Sequence, residues 1–89
     1  MKLIRSQDKL VLINAQHVSH ILIAAEEDDD GDTTGNMDID VFLGDFHDDS
    51  YSRTIATHRT TEECVRSLDK LAAFLSSSNS SGVYEMSQY

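Results

Sequence analysis

Eighty-nine residues with 16 acidic and 7 basic side chains give this chain a formal charge of −9, which disfavours contact with nucleic acid or anionic membrane and favours cations and basic protein surfaces. The length suits one domain with an economical core, and nothing approaches the roughly 18 apolar residues of a membrane span. Cys64 is the only cysteine, so an intramolecular disulfide and a cysteine metal cluster within one chain are both excluded, in keeping with a reducing cytoplasm.

The chain opens on Met1 and reads as complete, and Met1–Arg5 lacks the apolar segment and small-residue cleavage site of a secretory leader. Leu3-Ile4 and Leu10-Val11-Leu12-Ile13 are short apolar runs parted by the turn-forming Ser6-Gln7-Asp8-Lys9, and Asn14-Ala15-Gln16 makes a second turn. Val18–Ala25 is the strongest strand. It is apolar on both faces near Ile21-Leu22-Ile23, the pattern of a central strand covered on one side by a helix.

Residues 26–36 break that pattern with Asp28-Asp29-Asp30-Gly31-Asp32 and Gly35-Asn36, an acidic loop that its own repulsion extends. Alternation then returns. Met37, Ile39, Val41 and Leu43 face one way and Asp38, Asp40 and Phe42 the other, as in a half-buried strand antiparallel to the one before. After a polar loop over residues 44–50, Tyr51–Arg59 alternates again, with Tyr51, Arg53, Ile55 and Thr57 on one side.

The period changes at Thr60-Thr61-Glu62-Glu63, which has the form of a capping box with Thr60 as N-cap. Cys64, Val65, Leu68, Leu71, Ala72 and Leu75 then recur at helical spacing, and Lys70 complements the helix dipole. Ser76–Ser81 is a soft linker, Gly82–Met86 returns as an edge strand or packs on the helix, and residues 87–89 fray. The expected fold is therefore one α+β domain over residues 1–86: an antiparallel meander of three to five strands with one C-terminal helix packed on one face.

The charge is segregated. Eleven of the 16 carboxylates lie between Glu26 and Asp49, a window without Lys or Arg. Asp38 and Asp40, two apart on a strand, set carboxylates about 6.6 Å apart on one face, close to the charge spacing along a nucleic-acid backbone. Asp28, Asp29, Asp30 and Asp32 extend the row from one loop, and Asp48 and Asp49 from another, with Phe42, Phe46 and Tyr51 as aromatic anchors. Such a surface suits the basic groove of a DNA- or RNA-handling protein, in a salt-sensitive way. The competing account is that acidic loops keep a small protein soluble and monomeric.

Other chemistry is weaker. Glu26-x-Asp28-x-Asp30-Gly31 imitates the start of a calcium loop, but Met37 stands where the bidentate Glu belongs, which leaves weak divalent-cation binding as a lesser alternative. His17, His20, His47 and His58 have no zinc-ligand spacing. Cys64 sits on the apolar helix stripe, where a buried, inert thiol is the usual outcome. No Gly-rich phosphate loop or nucleophile elbow is present, so neither an enzyme nor a cofactor is expected.

The opening Met1-Lys2-Leu3-Ile4-Arg5-Ser6-Gln7-Asp8, the Asn14-x-x-x-Val18 step into an Ile-rich strand, the Thr-x-Glu-Glu helix entry and the closing Val83-Tyr84-Glu85-Met86 resemble small strand-strand-strand-helix proteins of Gram-positive bacteria and their prophages. The resemblance covers most of the chain and implies an intracellular domain of phage or mobile-element origin, without catalytic residues. The longer acidic segment is where this sequence departs from that pattern. The resulting expectation is a non-enzymatic inhibitor, anti-CRISPR-like, that blocks DNA binding by a guide-RNA nuclease. The alternative is a homodimeric interaction domain in which an exposed edge strand, or the Val83–Met86 tail, pairs with a second copy.

Overall fold

A computed structural model of the chain describes residues 1–44, 52–79 and 81–87. Among these residues six strands and one helix follow in order: β1 (Lys2–Arg5), β2 (Leu12–Asn14), β3 (Val18–Glu27), β4 (Thr33–Leu43), β5 (Ser52–His58), α1 (Thr61–Leu75) and β6 (Gly82–Glu85). The class is α+β, but the strands form two three-stranded sheets instead of one meander. β3, β4 and β5 are the antiparallel meander. In the second sheet β1 lies between β2, antiparallel to it, and β6, parallel to it. A parallel partner requires a crossover, and everything between β1 and β6, helix included, forms it. The helix is thus followed by a strand and does not end the domain.

The core lies between the inner faces of the two sheets and the helix. Ile4 and Ile13 come from one sheet, Ile39, Val41, Ile55 and Ala56 from the other, Cys64 and Leu71 from α1, and Met86 from beyond β6. On β4 the expected alternation holds, with Ile39 and Val41 fully buried and Asp38, Asp40 and Phe42 half-buried on the other face. On β5 it fails at one residue. Ile39 pairs with Ala56 but Asp40 pairs with Thr54, so Ile55 is an extra residue in a bulge. Ile55 and Ala56 both enter the core, and Thr57 no longer shares a face with Ile55.

Gln7 ties the sheets together at that bulge. Its backbone N–H donates to the Ile55 carbonyl at 2.7 Å. Its side-chain amide accepts from the Thr57 N–H at 2.9 Å and donates to the carbonyls of Thr57, at 3.1 Å, and Ser87, at 2.9 Å. The β5 edge is thereby covered by a side chain that imitates a peptide group.

β3 is an edge strand, not the central one its sequence indicates; β4 holds the centre. The expected acidic loop over residues 26–36 is also shorter. Strand continues to Glu27 and resumes at Thr33, leaving Asp28–Asp32 as a tight turn with Gly31 at φ +85, a conformation glycine adopts without strain.

α1 begins as its sequence indicates. Thr60 Oγ1 accepts from the Glu63 N–H at 3.1 Å, satisfying one orphan donor of the first turn. The buried stripe is Cys64, Ser67 and Leu71, flanked by half-buried Leu68, Phe74 and Leu75, while Val65 and Ala72 face solvent. The C-terminus is not served by Lys70, since the last turn carries no basic residue. Lys2 does this from the far end of the chain. Its Nζ donates to the carbonyls of Phe74 and Leu75, both at 2.8 Å, and of Ser77 at 2.9 Å. β6 enters beneath Phe74 at Gly82, where a Cβ would meet the ring at 3.3 Å and φ is +140.

Replacing Gln7 with Ala removes three side-chain hydrogen bonds and leaves the Thr57 peptide unpaired at a half-buried edge. Urea denaturation is expected to show a loss of about 2–3 kcal/mol with an unchanged slope. Gln7→Glu is expected to cost at least as much, since a carboxylate cannot donate to the Thr57 and Ser87 carbonyls.

Candidate protein-binding face

The face of the meander turned away from the core is built in cross-strand rows. On β4 it carries Asn36, Asp38, Asp40 and Phe42. β3 sets His20 opposite Phe42, Leu22 opposite Asp40 and Ala24 opposite Asp38. β5 sets Thr54 opposite Asp40 and Thr57 opposite Asp38.

Hydroxyl groups hold the carboxylates of this face. Thr57 Oγ1 donates to Asp38 Oδ1 at 2.6 Å and Thr54 Oγ1 to Asp40 Oδ1 at 2.7 Å. On the β3 side, Glu26 Oε1 accepts from Thr34 Oγ1 at 2.6 Å and from Asn36 Nδ2 at 3.2 Å. These are short bonds to ionised acceptors, the stronger kind. Each occupies one carboxylate oxygen. The result is a row of three oriented charges, Glu26, Asp38 and Asp40, bordered by the His20–Phe42 stack, whose ring centroids are 4.3 Å apart and nearly parallel at 10°.

The acidic turn is ordered by one of its own members. Asp28 Oδ1 accepts from the Asp30 N–H at 2.9 Å and the Asp32 N–H at 3.0 Å, and the Asp28 N–H donates to the Asp32 carbonyl at 2.8 Å. This is an Asx-type turn. Asp28 therefore shapes the tip, while Asp29, Asp30 and Asp32 are exposed on it. A turn of this length differs from the twelve-residue calcium loop that its first residues imitate.

Burial raises the pKa of Asp38 above the ordinary 3.8, the Thr57 hydrogen bond opposes the rise, and the neighbouring Asp40 and Glu26 add to it.

Of the residues the sequence nominates, Asp38, Asp40 and Phe42 share this face, and Asp28, Asp29, Asp30 and Asp32 cap its end. Phe46, Asp48, Asp49 and Tyr51 lie outside the described residues. Glu26, His20, Thr34, Thr54 and Thr57 belong to the face although the sequence does not single them out. Thr54 and Thr57 become visible only with the β4–β5 register, which the Ile55 bulge shifts by one.

Elsewhere the polar chemistry is enclosed. His58 Nε2 and Ser67 Oγ lie 2.9 Å apart, both buried, and link β5 to α1. Cys64 is fully buried, its Sγ 3.5 Å from the Met37 carbonyl, and burial pushes its thiol pKa up. Among the described residues, no group of three or more His, Cys, Asp or Glu side chains is placed to hold a metal ion, and no helix is long and apolar enough to cross a membrane. No family model matches the chain, and neither a curated protein nor a solved structure does.

A carboxyl whose pKa is raised by folding contributes stability below its unfolded value, and that contribution is lost as pH rises through the folded value. Asp38→Asn keeps an oxygen for Thr57 and removes the charge. The variant is expected to melt at higher temperature than the parent at about pH 7, with the gap closing as pH falls toward the ordinary 3.8. Cys64 is expected to react with a thiol reagent only at the rate of unfolding, so added urea should release a labelling step absent from the native protein.

Proposed function

We propose that this chain is a non-enzymatic acidic binding protein whose outer meander face and hairpin tip engage a basic, nucleic-acid-binding protein. One observation carries the reading. The β3–β4 hairpin holds eight carboxylates (Glu26, Glu27, Asp28, Asp29, Asp30, Asp32, Asp38, Asp40) and no Lys or Arg, and hydroxyl groups fix three of them in a row. Charges already fixed on strands lose little freedom on binding. A flexible acidic tail would be ordered at a cost. Phe42, beside Asp40, supplies the apolar contact that a purely ionic surface lacks.

In its concrete form the protein is an inhibitor of phage or mobile-element origin that occupies the DNA-binding groove of a guide-RNA nuclease. That form rests on the resemblance of the chain's landmarks to small prophage proteins.

The test is a mobility-shift titration of a guide-loaded nuclease on its target DNA. The protein is expected to displace the DNA and to lose at least about tenfold in potency between roughly 50 and 300 mM salt. Substituting Asn for Asp29, Asp30, Asp32, Asp38 and Asp40 leaves the Asp28 turn intact and should abolish displacement without lowering the melting temperature. Undiminished displacement by that variant would overturn the charge mechanism. Capture of a different basic protein that DNA releases would keep the mechanism and overturn the nuclease.

A further inference from the structure

We infer that β3 is an interface strand: two copies of this chain pair through it, antiparallel, about a two-fold axis at Ile23, to form one six-stranded sheet. The first reason is the mismatch between the strand's sequence and its place. Ile21, Leu22, Ile23, Ala24 and Ala25 are apolar on both faces, as suits a central strand, yet β3 is at the edge. The helix lies over β4 and β5, leaving Ile21 and Ile23 half-buried, Ala25 exposed, and Leu22 at 36% exposure on the opposite face. A second β3 alongside makes the strand central and covers these side chains.

The second reason is that the other edges are managed, whereas among the described residues nothing pairs with the outer edge of this one. Gln7 takes the peptide groups of Ile55 and Thr57 on β5, and β2 and β6 are only three and four residues long. β3 runs for ten residues without the Lys or Pro that commonly blunts an edge. Its bulge, at Ser19, falls outside the stretch His20–Glu26, and at the second irregularity of the pair, between Ala25 and Glu27, the extra residues are on β4.

The third reason is that this stretch complements itself. An antiparallel pair must match residues on the same face, and an axis at Ile23 sets Ile21 against the partner's Ala25 and Leu22 against the partner's Ala24. It also sets His20 against the partner's Glu26, twice in the dimer. Glu26 engages Thr34 and Asn36 through Oε1, leaving Oε2 for a further donor. Directly opposed side chains have Cβ atoms about 5 Å apart, within reach of this pairing. Antiparallel pairing also separates the acidic tips. β3 ends at Glu27, four residues from Ile23, so the strand ends that carry the two tips fall about 26 Å apart, about three times the roughly 8 Å screening length of physiological salt. Parallel pairing would set them side by side.

Sedimentation velocity from about 1 to about 200 µM should show a reversible monomer–dimer equilibrium. His20→Glu sets like charges opposite each other twice and should weaken the dimer about fivefold or more, whereas His20→Lys should tighten it. His20 is exposed, so neither substitution disturbs the core. His17→Glu adds the same net charge from the 3-10 turn before β3 and should leave the constant nearly unchanged. Hydrogen exchange supplies a second readout: alternate β3 amides, those not bonded to β4, should become protected only at high concentration. A monomer throughout would overturn the inference. So would a dimer that responds equally to His17→Glu and His20→Glu, or one whose new protection lies in β2 or β6. The outcome is independent of whether a basic partner is found, since the axis lies at the apolar centre of β3.

Discussion

Two three-stranded sheets of this size do not each bury a core; here they share one, and Gln7 ties them by hydrogen bonds at its margin. A carboxamide offers both a donor and an acceptor, as a peptide does. It therefore extends a ladder where the backbone has already turned away. The Ile55 bulge creates the need. By turning Ile55 and Ala56 both inward, it shifts the outward peptide groups of β5 by one residue, and Gln7 meets them with its backbone at Ile55 and its side chain at Thr57. The same amide donates to the Ser87 carbonyl, so the end of β1, the β5 edge and the segment after β6 converge on one side chain.

Three of the chain's seven cations are committed close to that joint. Lys2 caps the helix through three carbonyls and lies 5.4 Å from the Phe74 ring centroid. Arg5 and Lys9 both pair with Glu85, at 2.7 and 3.0 Å, and hold its carboxyl below the usual range, Lys9 most. Exposed ion pairs add little stability. Their larger effect here is on the distribution of charge. Three of the seven cations are occupied in the β2–β1–β6 sheet, and the hairpin contains none. Its carboxylates are steadied by hydroxyls and amides, and among the described residues none of them forms an ion pair.

How far this was legible in the residues depended on whether a feature was local. The alternation of β4, the Thr60 cap, the helix and the buried Cys64 all follow from spacing within a few residues, and the sequence indicates each of them. Ser67 was hidden because a polar residue in an apolar stripe reads as surface until His58 is known to face it. Lys2 as the helix cap, Gln7 as the joint and Thr54 and Thr57 as partners of the acidic row depend on contacts across dozens of positions, or on a bulge that no turn residue announces. The acidic segment reads as a long loop because four aspartates clustered around a glycine suggest repulsion. A single one of them, Asp28, folds the turn by accepting two amides. The composition was visible, but the hydrogen bonding was not.

A bare apolar edge is ordinarily an invitation to open-ended assembly, and this chain answers it with geometry. A sheet joined at β3 would present β5 at both of its outer edges, and on each β5 Gln7 takes the peptide groups of Ile55 and Thr57. The pairing would then use the longest strand edge left open among the described residues. The charge acts in the same direction. Because the carboxylates crowd one end of β3, stacking copies in parallel would bring the tips together, and only the antiparallel arrangement keeps them apart. In that arrangement the acidic faces lie on the same side of the sheet, since opposed residues share a face. The Glu26–Asp38–Asp40 rows of the two copies would run into one surface, longer than a single domain of this size can carry. The concentration of charge at one end of β3 would then also set the direction in which the chain associates with itself.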